Sequence, residues 1–176
     1  MRGATLTELV GDYVHDPRPE QLRRLRSAVT GSPTFDPDLD LVAVAGAALE
    51  EGRIDDAIRE LTSKMPGAAL SPSAHAVLAA AFEAKGDEAA ARRERLMAEL
   101  SITTILSTGD GSREHPWSVL RVADEYDLLR TRGVTSVEQL TLTEGGHLVD
   151  GHVDEDGNQL WFVVETRRSL EAGVRS

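Results

Sequence analysis

The N-terminal part of the chain places hydrophobic residues at the spacing of amphipathic helices. An apolar residue recurs every three to four positions, which predicts one helix over Leu6 to Tyr13 and a second over Glu20 to Val29. Asp16-Pro17-Arg18-Pro19 separates them, because proline cannot donate the backbone hydrogen bond that a continuing helix needs. The apolar positions of the two helices are Leu6, Leu9, Val10, Tyr13, Leu22, Leu25 and Val29.

A repeated segment follows these helices. Gly52-Arg53-Ile54-Asp55-Asp56-Ala57 is echoed by Gly86-Asp87-Glu88-Ala89-Ala90-Ala91, and the offset of 34 residues is the period of a tetratricopeptide repeat (TPR). In such a repeat the glycine ends the first helix, and the alanine five residues later lets the second helix pack closely. Two units are too few for a free solenoid, so we expect neighbouring segments to cover their apolar faces.

Beyond a turn-rich segment at Thr108–Ser112 the hydrophobic period changes to that of strands. A strand is predicted over Trp117–Val122, followed by a helix that opens at Asp124 and stops at Gly133. Glycine- and aspartate-rich turns then separate three further strands. These strands are predicted over Gln139–Thr143, His147–Val153 and Gln159–Glu165.

The order of the predicted elements indicates an α+β fold. We expect TPR-like helical hairpins over residues 1–107 to pack on a β-α-β-β-β module over residues 108–166. The charged segment 167–176 has little to bury and is predicted to be a flexible tail.

Composition excludes several classes of function. The net charge is −11 and both halves of the chain are acidic, which argues against nucleic acid as a partner. The chain has no cysteine, so disulfides and cysteine-ligated metals are excluded. No segment has the ~20 apolar residues of a membrane helix, and Glu8 and Asp12 interrupt the N-terminus before a signal peptide could form. We therefore expect a cytoplasmic protein that does not associate with a membrane and binds no metal or cofactor.

Three motifs resemble those of a bacterial family described only as domain of unknown function 4919. Its members resemble TPR proteins at the N-terminus and then carry a GDG-x-S turn, a D-E-x-Y helix start and a GH-x-x-D strand. The matching segments here are Gly109-Asp110-Gly111-Ser112, Asp124-Glu125-Tyr126, and Gly146-His147 with Asp150. This chain departs from the family pattern at Val149, where an aromatic residue is usual, and in a longer charged tail. The resemblance implies the architecture and transfers no activity.

His147 is the centre of the catalytic pocket that the enzyme hypothesis would require. Strand alternation places it on the apolar face of its strand, where it is either a core histidine with a hydrogen-bond partner or a general base. Ser112, His147 and Asp150 or Asp124 could form a nucleophilic set, but no G-x-S-x-G elbow is present. The candidate catalytic residues are His147, Asp150, Ser112, Asp110, Glu125 and Tyr126.

The opposite face of the same strand carries Asp150, His152 and Asp154. This triple could bind a divalent metal weakly, but a solvated outer face explains it as well, and we predict the solvated face. The Gly109–Ser112 turn could present backbone amides to an anion, yet it lacks the Lys-Ser/Thr ending of a P-loop. We therefore interpret that turn as structural.

No complete catalytic signature is present, so the leading hypothesis is a non-catalytic adaptor that binds a protein or peptide. TPR grooves bind peptides through their first helices, and the corresponding positions here are Asp40, Val44, His75 and Ala79. The alternative is a small enzyme, hydrolase-like or of specialised metabolism, with a pocket around His147. A third hypothesis is an immunity or antitoxin-like protein whose acidic surface neutralises a basic toxin.

We predict that the two halves share one core and unfold together, since each alone would leave an apolar surface uncovered. Denaturant melts followed by helix signal and by tryptophan fluorescence should coincide, because both tryptophans lie in the C-terminal half. Two separated transitions, or a 1–107 fragment as stable as the whole chain, would contradict this architecture. The contacts expected to join the halves are Leu96, Leu100, Ile105, Val119, Leu140 and Phe162.

Overall fold

The computed structural model describes residues 4–168 and confirms the α+β fold, with the helices first and the strands at the C-terminal side. The chain divides into two compact units, Met1–Ser101 and Ile102–Ser176. Part of the tail predicted over 167–176 lies outside the described residues, which end at residue 168.

The first unit is helical. Its elements are α1 (Leu6–His15), α2 (Pro19–Thr30), a π-helical turn (Val42–Gly46) that continues into α3 (Ala47–Glu50), α4 (Ile54–Thr62), α5 (Pro72–Ala84) and most of α6 (Glu88–Leu106).

Helices α1 and α2 begin at residues that suit the first turn of a helix. The Thr5 hydroxyl accepts a hydrogen bond from the Glu8 backbone amide, and the Glu8 carboxylate accepts one from the Thr5 amide. Pro19 opens α2, where its missing amide hydrogen has no intrahelical partner to lose. Both predicted helices are therefore confirmed, and each is longer than its periodic segment by a few residues.

The repeated segment folds as two helical hairpins with the same local geometry. Gly52 and Gly86 both have positive φ, at 70° and 82°, as the turn between two helices requires. Ala57 and Ala91, the alanines five residues later, are fully buried. Ala57 packs with Ala45, Ala48, Leu61 and Leu78 in one apolar cluster. The assignment of these hairpins to the TPR class stays a prediction.

The second unit contains a four-stranded sheet with one helix after its first strand. Its elements are the end of α6, β1 (Trp117–Val119), α7 (Val122–Thr131), β2 (Ser136–Glu144), β3 (His147–Asp154) and β4 (Gln159–Arg168). The strand order is β1-β4-β3-β2. Strands β2, β3 and β4 form an antiparallel meander, while β1 pairs in parallel with β4, with Trp117 opposite Phe162.

The core of this unit includes three of the six contact residues predicted from the sequence. Ile105, Val119 and Phe162 pack in one cluster with Trp117 and Leu128. The prediction for Leu96 is wrong: its side chain is 58% exposed, because it lies on the outer face of α6. Leu100 and Leu140 are half-buried.

The first predicted strand ends earlier than expected, and the chain turns into a helix at Val122. The Asp124 carboxylate accepts a hydrogen bond from the Arg121 backbone amide at 3.0 Å, which caps α7 at that point. The segment Val119-Leu120-Arg121-Val122 therefore contains the end of a strand and the start of a helix. Hydrophobic periodicity alone does not show where one ends and the other begins.

Gly151 in β3 is predicted to tolerate no side chain, because the Trp161 ring lies directly over it. A β-carbon at Gly151 would stand 2.8 Å from two atoms of that ring. Gly151→Ala should lower the free energy of unfolding by about 1–3 kcal/mol through overpacking. Gly11→Ala in α1, where a β-carbon meets nothing within 4 Å, should raise it by about 0.5–1 kcal/mol. Urea unfolding of both variants checks the pair, and a Gly151→Ala variant as stable as the parent would contradict this packing.

Candidate functional site

Asp150 and His152 are buried inside the C-terminal unit, so the predicted solvated face is wrong for both residues. Their side chains are 5% and 1% exposed. The face of β3 that carries them packs against residues of α7 rather than facing water, as the contacts of His152 with Glu125 and Tyr126 show. Asp154 lies beyond the covered part and binds the amides of the following turn instead.

His152 uses both ring nitrogens in a line of three polar side chains. Its Nε2 atom lies 2.9 Å from Glu125 Oε2, and its Nδ1 atom lies 2.9 Å from the Ser136 hydroxyl oxygen. The rings of Tyr126 and Phe162 stand edge-on to the imidazole, with centroids at 5.1 and 5.5 Å. The imidazole is therefore fixed by two polar and two aromatic neighbours.

Glu125 is the most strongly buried acid of this cluster. Burial raises the pKa of its carboxyl, the nearby charge of Asp150 raises it further, and the hydrogen bond with His152 opposes the shift. Its Oε1 atom is buried with no hydrogen-bond partner among the described residues. Asp150 in turn accepts a hydrogen bond from the Thr141 hydroxyl at 2.6 Å. The cluster thus holds two carboxyl groups and one imidazole away from water.

A cleft of about 470 Å³ opens beside this cluster, at the end of α7 and the start of β2. Ser136 and Tyr126 belong to both the cleft and the cluster. Ser136 is half-buried, so its hydroxyl connects the surface with the buried imidazole. The other residues that line the cleft are Leu129, Arg130, Gly133, Val134 and Thr135.

His147 lies outside the cluster. Its side chain is half-buried, and its Nδ1 atom is buried without a hydrogen-bond partner in the described part of the chain. A core histidine with a satisfied ring, and a general base beside a carboxylate or hydroxyl, were the two expectations. No carboxylate, hydroxyl or backbone partner is found for His147 Nδ1 among the described residues, so the role of His147 stays a prediction.

The hydrogen bonds of the Gly109–Ser112 segment are those of a turn that holds itself together. The Asp110 carboxylate accepts the Ser112 backbone amide, and hydrogen bonds from Ser112 hold the Asp110 pKa below its usual value. The Ser112 hydroxyl accepts the His115 amide. No hydrogen bond joins Asp110 or Ser112 to His147 or Asp150 within residues 4–168. Of the six catalytic candidates, Glu125, Tyr126 and Asp150 come together.

The four predicted peptide-binding residues separate into two pairs. Asp40 and Val44 line an open cleft of about 570 Å³ in the helical unit. His75 and Ala79 are each 4% exposed and are not available to a ligand. The His75 ring binds the Ala69 carbonyl at 2.9 Å and the Glu94 carboxylate at 2.6 Å, which explains why it faces inward. Of the four residues expected on the peptide-binding surface of a TPR, only Asp40 and Val44 therefore line a cleft.

The cleft that contains Asp40 and Val44 is strongly acidic. Four carboxylates and one ammonium group line it, together with two small apolar side chains, Ala43 and Val44. The Asp36 side chain accepts the Asp38 amide, and the Asp40 side chain accepts the Val42 and Ala43 amides, so two of the four carboxylates are held in place. The lining residues are Asp36, Asp38, Asp40, Ala43, Val44, Glu60, Ser63 and Lys64.

The described residues contain neither a metal-binding cluster nor a membrane-spanning helix. No group of three or more His, Cys, Asp or Glu side chains among them is arranged to hold a metal ion. None of their helices is both long and apolar enough to cross a bilayer.

Sequence reasoning did not identify Ser136, and it predicted that the face of β3 carrying His152 is solvated, whereas His152 is buried. All four residues of the run Val149-Asp150-Gly151-His152 are buried, although three of them are not large apolar residues. A strand covered on both faces loses the alternation that strand reasoning relies on. Polar residues inside such a run must find hydrogen-bond partners, and the acids at the start of α7 were the available ones.

Glu125 should make the stability of the chain fall as pH rises above 4.5, the ordinary pKa of its side chain. In the window between 4.5 and the raised pKa, the folded chain keeps the Glu125 proton while the unfolded chain releases it. Glu125→Gln removes this titration, so its stability relative to the parent should rise with pH across that window. Urea unfolding at a series of pH values measures the difference.

Glu155→Gln, at an exposed turn position, is the matched control and should show no such trend. A relative stability of Glu125→Gln that falls with rising pH would mean that the folded protein favours the ionised carboxylate.

Comparison with known proteins identifies a family but no characterised relative. Neither a curated protein nor a solved structure is significantly similar to the chain. The family model described as Domain of unknown function (DUF4919) matches residues 49–168, which is more than half of the chain and covers the elements from α4 to β4. The resemblance noted in the three motifs is thereby confirmed, and the chain belongs to the DUF4919 family.

Proposed function

We propose that this chain is a binding protein whose acidic cleft in the helical unit takes a basic peptide segment of a partner protein. The observation that carries the proposal is the lining of that cleft, which combines four carboxylates with the apolar side chains of Ala43 and Val44. A lysine or arginine side chain presents an apolar stem and a cationic head, and this lining matches both parts.

Part of the cleft is arranged before any ligand arrives. The backbone amides that bind the Asp36 and Asp40 carboxylates restrict their rotation, so less side-chain entropy is lost on binding. Asp40 also stands at the entrance to the π-helical turn, and such irregular turns are frequent at functional sites. Val42 on that turn is 76% exposed and offers an apolar contact beside the acids.

Charge supports the same ligand class. Lys64 supplies the one cation of the lining, so the cleft keeps an excess of negative charge, in a chain whose net charge is −11. This field attracts cationic segments and repels acidic ones, which gives selectivity and faster association. Binding should therefore weaken as salt is added.

A peptide-display selection on the full chain tests the proposal. Random peptides that bind should be enriched in lysine and arginine, and Asp40→Asn combined with Glu60→Gln should weaken them roughly tenfold, or about 1.4 kcal/mol. Asparagine keeps the oxygen that accepts the Val42 and Ala43 amides, so the turn is preserved.

A control pair removes the same charge elsewhere. Asp12→Asn with Glu114→Gln changes two exposed acids that do not line the cleft, and it should leave affinity within about twofold. Selected peptides without a basic bias, or equal losses in both double variants, would show that the cleft is not the binding site.

A further inference from the structure

The line Ser136–His152–Glu125 has the order of groups that activates a serine nucleophile. A hydroxyl lies at hydrogen-bond distance from an imidazole nitrogen, and the second nitrogen lies at the same distance from a carboxyl oxygen. This is the geometry of nucleophile, base and orienting group that acyl-transfer enzymes use on unrelated folds. The hydroxyl lies at the wall of a cleft, whereas the imidazole and carboxyl are buried behind it.

We propose that Ser136 is a nucleophile that hydrolyses small carboxylic esters bound in the cleft beside α7. His152 acts as the general base, and Glu125 is a positioning residue that holds the imidazole. This activity belongs to the C-terminal unit and is independent of the peptide binding proposed for the helical unit.

The position of the Ser136 proton follows from its two acceptors. The hydroxyl oxygen lies 2.9 Å from His152 Nδ1 and 3.2 Å from the Glu138 carbonyl oxygen, so the imidazole is the nearer acceptor. For Nδ1 to accept, the ring proton must be on Nε2, where the Glu125 carboxylate accepts it once the pH exceeds its raised pKa and it is ionised. The contacts of the ring with Tyr126 and Phe162 prevent rotation out of this alignment.

The cleft favours a substrate with a short apolar acyl group. Val134 supplies apolar surface beside Ser136, and a volume of about 470 Å³ admits a small molecule rather than a polymer. The Arg130 side chain at the rim is largely exposed and paired with Asp127. An ester with a small acyl chain and a good leaving group is therefore the substrate class to test first.

The reaction balances without a cofactor. The Ser136 oxygen bonds to the ester carbonyl carbon as its proton moves to His152 Nδ1. The ester C–O bond then breaks, and the leaving alcohol takes that proton. Water attacks the acyl-serine with His152 again accepting a proton, and the Ser136 oxygen leaves with it, which releases the carboxylic acid and restores the enzyme.

A fluorophosphonate probe and p-nitrophenyl acetate test the nucleophile on the full chain at mildly alkaline pH. The parent should be labelled at Ser136, as read by mass spectrometry of its peptides, and should release nitrophenol at least about tenfold faster than Ser136→Ala. Ser118→Ala is the matched control. Ser118 is also half-buried in the sheet, but its hydroxyl donates to the Glu165 carboxylate, so this variant should behave as the parent.

A second measurement keeps the test independent of esterase turnover. The chain has no cysteine, so Ser136→Cys and Ser118→Cys each introduce a single thiol. A thiol paired with imidazole ionises more readily, and Ser136→Cys should react with iodoacetamide at least about tenfold faster folded than unfolded in denaturant. Ser118→Cys, beside a carboxylate, should react more slowly folded than unfolded.

The proposal is overturned by either of two results. One is a parent chain whose Ser136 is not labelled by the fluorophosphonate. The other is a Ser136→Cys thiol no more reactive in the folded than in the unfolded chain, which would assign the His152 contact a purely structural role.

Discussion

The buried pair of His152 and Glu125 is the interaction on which the C-terminal unit depends. One partner lies in the middle of β3 and the other in the first turn of α7, and both are almost completely removed from water. Two buried polar groups that satisfy each other resist separation, because moving either one would leave the other without a partner at a penalty of about 1–3 kcal/mol or more. The pair therefore fixes the position of α7 on the sheet more specifically than apolar packing could.

The neighbouring polar groups follow from this pair. Asp150 stands two residues before His152 on the same face of β3, and its charge would be costly to bury without the hydroxyl of Thr141 opposite it. Ser136 completes the line at the other imidazole nitrogen. The result is a continuous path of proton donors and acceptors from a buried carboxyl group to the wall of a cleft, which a purely apolar core would not provide.

The elements of the fold could be predicted from the sequence much better than the site could. Apolar spacing located α1 and α2, and the glycine-rich turns located β3 and β4, because these signals are local. The site depends on which face of β3 is covered, and that is decided by the distant residues of α7. His152 and Asp150 looked like a solvated surface for this reason, and His75 looked like a groove residue until its contacts with Ala69 and Glu94 were known. The motif residues Glu125 and Tyr126 do lie together in the buried cluster, but their partner there is His152, whereas the sequence led us to expect His147.

The parallel pairing of β1 with β4 has a consequence for how the chain acquires its structure on the ribosome. Trp117 emerges early, but its partner Phe162 emerges only after α7 and two complete strands. Loops of this length close slowly, because the entropy of the intervening chain is lost before the strands gain any contact. Until β4 is made, β1 has no strand beside it, and Trp117 and Val119 remain without their aromatic and aliphatic neighbours. A nascent chain that stalls before β4 would expose this apolar strand to chaperones and proteases, so the synthesis of β4 decides whether β1 is protected.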